Sequence, residues 1–228
     1  LDIGLVMGAR YSALALFIVV GGVLADRVNR FKLLALTDIL SIVALVPIIL
    51  LGAATPIAVV VLSSFVLGAC EALFSPTYDA AIVSTVSKEQ LAPANALTKT
   101  VRGFAKIVGP PLSGIVVAGV GVSSALVIDA ISFGASILSL SRLAFLGLGN
   151  PGRREGQGLW KDALEGVRTV LALRWLTALE AMAMVHVLLA VGPWLVLLPI
   201  VAQRNLGGLS AYGLLLGAFA AGAIPGAV

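Results

Sequence analysis

An all-helical, polytopic membrane bundle is the fold class this sequence predicts, and three observations predict it. Of 228 residues, 60% are hydrophobic and only 11% charged, against about 25% charged in an ordinary soluble domain. Seven apolar stretches reach or approach the roughly 20 residues that a helix needs to cross about 30 Å of hydrocarbon. The connections between them alternate between basic and free of Lys and Arg. A soluble globule of this size lacks the polar side chains to cover so much apolar surface. The composition therefore excludes a soluble enzyme, a disordered tail and a nucleic-acid module.

The first span is predicted at 4–24, followed by a connection bearing Arg27, Arg30 and Lys32. The second, 33–52, turns back at 52–56 into the third, 56–76. Lys88, Lys99, Arg102 and Lys106 lie before or at the start of the fourth, 101–119, which turns at 119–123 into the fifth, 123–142. Arg142, Arg153, Arg154, Lys161, Arg168 and Arg174 follow, and then spans six and seven at 176–200 and 211–228. Thirteen of the 15 basic residues thus fall on alternate connections, the exceptions being Arg10 and Arg204. Cytoplasmic loops carry such an excess, so these face the cytoplasm, and the sequence pI of 9.6 needs no nucleic acid. Many runs are rich in Gly, Val and Ile, common in lipid-embedded helices. They lack the alternation of a membrane β-barrel, and a span must satisfy its own backbone.

Residues 143–175 form the one sizeable polar segment. Asn150, Pro151 and Gly152 read as a turn and 153–158 as a linker. Trp160, Leu164, Val167, Leu171 and Trp175 then recur at helical spacing, with Lys161, Asp162, Glu165 and Arg168 on other faces. This predicts an amphipathic helix, lying on the cytoplasmic membrane surface or packed as a linker under the bundle. The chain opens at Leu1 and closes at Val228 in apolar sequence with no signal peptide ahead of it, so it reads as an internal fragment. A shift of about 200 residues sets Tyr11, Leu14 and Gly21 on Tyr212, Leu215 and Gly222, a weak repeat that fits a protein of two parallel halves.

One Cys and one His exclude a disulfide framework and argue against a zinc site, and no metal or other cofactor is expected. Neither a G-x-S-x-G elbow nor a phosphate-binding G-x-x-x-x-G-K-[ST] loop is present, so no enzyme is expected.

Between the first two spans stand Gly22, Asp26, Arg27, Asn29, Arg30 and Lys32. This loop resembles the G-x-x-x-D-R-x-G-R-R/K signature of the major facilitator superfamily. Asn29 stands where the family prefers Gly, and an Asn tolerating a left-handed turn would preserve it. Phe31 interrupts the final basic pair and Lys32 restores the charge. The resemblance implies a conformational latch on the cytoplasmic side. Gly109, Pro110, Ser113 and Gly114 resemble the exporter-associated G-P-x-x-G-G signature, with Ser113 replacing a Gly. Small residues there would allow close helix approach. Ser75, Pro76, Tyr78 and Asp79, then Pro93 and Asn95, and later Asp129, Phe133 and Tyr212, resemble the multidrug, macrolide and siderophore exporter branch.

The resemblance implies a partial major facilitator fold, about seven of twelve spans, the second to the eighth. Residues 1–142 would be part of the N-terminal six-helix half, 143–175 the cytoplasmic central loop and 176–228 the start of the C-terminal half. It implies a multi-pass transporter of the inner (cytoplasmic) membrane exporting amphipathic small molecules by alternating access, with protons as coupling ion. Partners would be the substrate, protons and the bilayer, without nucleic acid. Two other readings stay open: a lipid or lysophospholipid flippase of the same fold, and a non-transporting scaffold or sensor subunit. The family's antiporters often carry an Arg four residues before a Gly in the third visible span. Taking Gly68 as that Gly puts Ser64 at the Arg position, so proton coupling would use another group, or the transporter would be coupled differently.

An ionisable side chain in a span is costly unless paired or hydrated, and so is a functional candidate. Arg10, Asp38, Glu71, Asp129, Glu180 and His186 qualify. In the superfamily the spans of Asp38 and Asp129 lie outside the central cavity, which implies structural or interfacial roles for those two. Arg10, Glu71, Tyr78, Asp79, Arg102, Glu180 and His186 remain as coupling or cavity candidates, with a Glu71–Arg102 pair expected near the cytoplasmic mouth.

Overall fold

A computed structural model describes residues 2–148, 168–169 and 171–206, together with 212, 215 and 218. Every regular element among them is helical: α1 (Asp2–Ala25), α2 (Arg30–Leu51), α3 (Ile57–Thr85), α4 (Leu91–Phe145), α5 (Arg174–His186) and α6 (Gly192–Asn205). Short turns of tighter helix at Gly52–Ala54 and Lys88–Gln90 join α2 to α3 and α3 to α4.

Five stretches are long and apolar enough to cross a membrane: Asp2–Ala25, Arg30–Ala54, Ile57–Thr85, Gly119–Phe145 and Arg174–Asn205. They match five of the seven predicted spans. The predicted span 101–119 is helical, but its helix also carries Lys99, Arg102, Lys106 and a Pro-Pro pair, which lower its hydropathy, and it is not one of the five. The seventh, 211–228, and the amphipathic helix built on Trp160, Leu164 and Val167 lie outside the described residues.

Each helix end has a local cause. Gly52 adopts a φ of 53°, which a side chain disfavours, and closes α2 by donating its N–H to Ile48. Pro56 sits just before α3, where a missing N–H is harmless. Within α4, Gly121 has φ 82° and ψ 167°, outside any helix, and splits it into limbs 91–120 and 122–145 at the turn predicted from sequence. Ser123 lies against Gly52, so this break and the α2–α3 turn share one end of the bundle. Past Phe145, Gly147 takes a φ of 75°; its N–H bonds the Ala144 carbonyl and that of Leu148 bonds Leu143, a Schellman closure.

Helix α3 runs past the predicted end at 76. Pro76 removes the N–H that would bond the Ala72 carbonyl, yet the helix continues to Thr85. Such prolines are tolerated in membrane helices when neighbours compensate. Here α1 supplies the neighbour: a Cβ on Gly21 would lie 2.5 Å from the Ala72 carbonyl oxygen, so only glycine permits the approach. At 29 residues, α3 is about 43 Å long and exceeds the hydrocarbon thickness. Between α5 and α6, Val187–Val191 forms a π-helical turn just before Pro193. The wider turn moves the preceding carbonyls away from a ring that cannot donate to them.

The chain forms two compact units, Leu1–Ala94 with Val122–Arg168, and Asn95–Gly121 with Thr169–Val228. In the first, α3 packs against both α1 and α2. Phe17 and Phe65 meet edge to face at 6.2 Å. A core of Phe31, Leu34 and Ala81 gathers Phe74, Tyr78, Leu140, Leu143 and Ala144 around it. In the second unit, α5 and α6 are joined through the π-helical turn, and most of their apolar side chains are exposed. Large exposed apolar surfaces of this kind suit a bilayer as solvent.

Candidate functional site

The loop between α1 and α2 is built from backbone turns and three side chains. Arg27 and Val28 donate their N–H groups to Leu24, ending α1. Asn29 has φ −61° and ψ 118°, and its side-chain oxygen accepts the N–H of Lys32 at 3.1 Å. This corrects the expected left-handed Asn29. The residue caps the start of α2, a position that requires extended backbone and favours Asn for its acceptor oxygen. Its amide nitrogen donates to the Leu148 carbonyl at 3.0 Å, tying the loop to the end of the Schellman closure.

Arg30 is largely buried, and its Nε donates to the Ala25 carbonyl at 3.2 Å. A cation is favoured there because the last carbonyls of α1 carry partial negative charge. Asp26 stands 3.9 Å from the Arg30 guanidinium, an ion pair too long for a hydrogen bond. Phe31, which interrupts the basic pair of the signature, fills the core beneath, while Lys32 and Arg27 are exposed. Among the described residues, a Cβ at Gly22 would meet nothing within 4 Å, and Gly21 makes the close approach.

Deeper in the first unit lies a polar pocket of about 430 Å³. Three helices face it with residues at helical spacing. From α3 come Leu67, Cys70, Glu71 and Phe74, and from the second limb of α4 Asp129, Ser132, Phe133 and Ser136. Both sets follow i, i+3, i+4, i+7. Thr37, Asp38 and Ser41 come from α2, and Arg10 from α1. The Arg10 guanidinium donates to the Glu71 carboxylate at 2.8 Å. This is the partner Glu71 has within its unit, where the sequence pointed to Arg102. Gly68 makes the pair possible: a Cβ there would collide with the Arg10 carbonyl oxygen, so α1 and α3 touch backbone to backbone.

Asp38 is 3% exposed, and its Oδ2 has no hydrogen-bond partner among the described residues. Thr37 donates to the Leu34 carbonyl, Ser41 to Thr37 and Ser132 to Asp129, each within 2.9 Å. Asp38 and Asp129, which the family pattern set outside the central cavity, therefore share one pocket with Arg10 and Glu71. Ser132, Ser136, Thr37, Ser41 and Cys70 were not singled out from sequence as site residues, and Phe133 only as part of the exporter-branch resemblance. The signal was the 129/132/133/136 spacing on one helix face.

Tyr78 stacks on Phe74 at 5.7 Å and packs on the apolar core, and Asp79 beside it is exposed. Arg102 is half-buried on the first limb of α4. Glu180 and His186 are exposed on α5, His186 directly before the π-helical turn. On the exporter-like segment, Ser113 donates to the Pro110 carbonyl at 2.9 Å. Among the described residues, a Cβ at Gly109 or Gly114 meets nothing within 4 Å. Gly21 and Gly68 make close approaches, where the backbones of α1 and α3 meet. Outside the spans, the backbone N–H of Glu89 and the Ser87 hydroxyl hold the Glu89 carboxyl below its ordinary range.

Residues 1–228 match the family described as transmembrane secretion effector, of the major facilitator type. The chain belongs to that family. Transmembrane secretion effectors of this type are multi-pass membrane transporters and not enzymes. The chain is also 33% identical, over 169 residues, to the multidrug efflux pump Tap of Mycobacterium tuberculosis (strain ATCC 25618 / H37Rv). The Tap pump of Mycobacterium bovis (strain BCG / Pasteur 1173P2) matches equally. Each alignment takes in 70% of this chain and 40% of the relative, so the chain spans about 40% of the length of the curated relatives it matches.

Proposed function

We propose that this chain is part of an exporter of amphipathic small molecules, of drug, macrolide or siderophore type, driven by proton antiport in the cytoplasmic membrane. The family match along the whole chain carries this reading, and the likeness to a multidrug efflux pump gives its direction. Residues 1–142 contribute to the first half of the transporter, 143–175 to its central loop and 176–228 to the second half. The two halves rock about a midplane cavity. The loop of Gly22, Asp26, Arg27, Asn29, Arg30 and Lys32 latches the cytoplasmic side. Its chemistry supports that role: the Arg30–Ala25 bond is firm, whereas the Asp26–Arg30 pair is long at 3.9 Å and half-exposed, so a small movement can change it. Gly109, Pro110, Ser113 and Gly114 form the exporter element. Arg10 and Glu71 serve coupling, and Tyr78, Asp79, Arg102, Glu180 and His186 stand as further coupling or cavity residues.

The test uses inside-out vesicles containing the complete protein and a fluorescent cationic amphiphile. With an acid lumen, protons leave and the dye enters. Accumulation above that of vesicles lacking the protein, abolished by a protonophore, is the expected result. Equal accumulation in both kinds of vesicle would overturn the reading.

A further inference from the structure

We propose that the pocket between α1, α2, α3 and the second limb of α4 is a proton-binding site, with Asp38 and Asp129 as its carrier carboxyls. The proposal deepens the antiport reading and rests on it for its role in transport.

Charge balance is the first argument. Three carboxyls, Asp38, Glu71 and Asp129, face this pocket against one guanidinium, Arg10, and that guanidinium is engaged by Glu71. Fully ionised, the cluster carries two negative charges inside a bundle of membrane spans, where uncompensated charge is costly. Two protons bring it to neutrality. The second argument is the Asp38 Oδ2 atom, buried and without a partner among the described residues although it lines a cavity. A buried polar atom left so calls for an occupant that the protein does not itself supply. The donors are the third argument. Thr37, Ser41 and Ser132 spend their hydroxyl protons on helix carbonyls, so they offer the pocket lone pairs only. Beyond the Ser136 hydroxyl, which faces Asp38, such a wall is completed by something that donates, namely water and a proton held on a carboxyl.

A metal cation fits less well. It requires oxygens converging at about 2.0–2.6 Å, whereas no group of three or more acidic, His or Cys side chains among the described residues is placed to hold one. The cavity instead has room for several waters. Asp129 is exposed and Asp38 buried, so the two carboxyls stand at the mouth and the deep end of one cavity. A proton arriving from water binds Asp129 oxygen, crosses by bridging water to Asp38 and leaves the same way, with no other bond made or broken. The charged or titratable groups around Asp38 are Arg10 from α1, Cys70 and Glu71 from α3 and Asp129 from α4; the Arg10–Glu71 contact fixes the field they set.

Infrared difference spectroscopy on the purified complete protein reads proton binding without any transport. Acidification is expected to raise the carboxylic C=O band, and Asp38→Asn and Asp129→Asn are each expected to remove part of that rise. In vesicles, dye accumulation driven by a pH gradient should fall to background in both variants, while proton-independent substrate counterflow persists. If Asp38→Asn does not fold, the more exposed Asp129→Asn carries the test alone. An unchanged C=O band in the folded variants would overturn the proposal. So would the same spectral change on adding sodium or potassium at fixed pH, which would assign a metal cation. Loss of the band in variants of a protein that shows no gradient-driven flux would uphold the proton site and refute antiport.

Discussion

Replacing Gly68 by Val should loosen the α1–α3 contact enough to be read by heat. The added Cβ would collide with the Arg10 carbonyl oxygen and lie 3.0 Å from its carbon and 3.1 Å from its Cα. All three are backbone atoms, so no side-chain rotation relieves the clash, and α1 must withdraw. Overpacking of this kind typically costs about 1–3 kcal/mol. The gain from removing a helical glycine offsets only a few tenths of a kcal/mol for Val. With about 2–4 °C per kcal/mol for a chain of this size, the Tm should fall by roughly 2–12 °C. Cys70, the single cysteine, is 4% exposed and two residues away. In the detergent-solubilised complete protein, with any cysteine outside these residues replaced by Ser, its reaction with a thiol-specific dye on heating therefore reports the opening of this interface. Gly134→Val is the control, because among the described residues nothing lies within 4 Å of its Cβ, and it should stay within about 2 °C of the parent. Equal shifts in the two variants would refute the close-approach argument.

Two further outcomes follow from named contacts. Asn29→Ala removes the cap of α2 and the Leu148 bond together and should cost about 1 kcal/mol or more, whereas Asn29→Asp keeps the capping oxygen and should lose less; an Ala variant as stable as the parent would refute the capping role. Arg10→Gln and Glu71→Gln each leave a charge without its partner, so the double variant should lie closer to the parent Tm than either single one, and simple additivity in the cycle would show that the two side chains do not interact.

The spans were legible because hydropathy and helix length are properties of consecutive residues. The break at Gly121 was legible too, as a turn between two apolar runs. What the sequence left open concerns relations between helices. Glu71 met Arg10, 61 residues away, a pairing between two helices that spacing along one helix does not show. Asp38 and Asp129 looked separate because no periodicity links α2 to α4. Position 29 was read through the glycine it replaces, yet its side chain caps a helix. Phe31 read as an interruption of a charge motif until it was seen filling the core. Pro76 read as an end because the compensating contact, Gly21 on Ala72, comes from another helix.

The bond from Asn29 to the Leu148 carbonyl also makes tolerance to insertion and deletion asymmetric along the chain. An extra residue in the last turn of α4 would turn that carbonyl by about 100° about the helix axis, and one between 145 and 148 would break the closure that holds it, so either would strip it from Asn29. Residues added from 149 onward leave the bond untouched. Length variation among relatives should therefore begin abruptly after 148, where the chain has just been pinned to the loop between the first two spans.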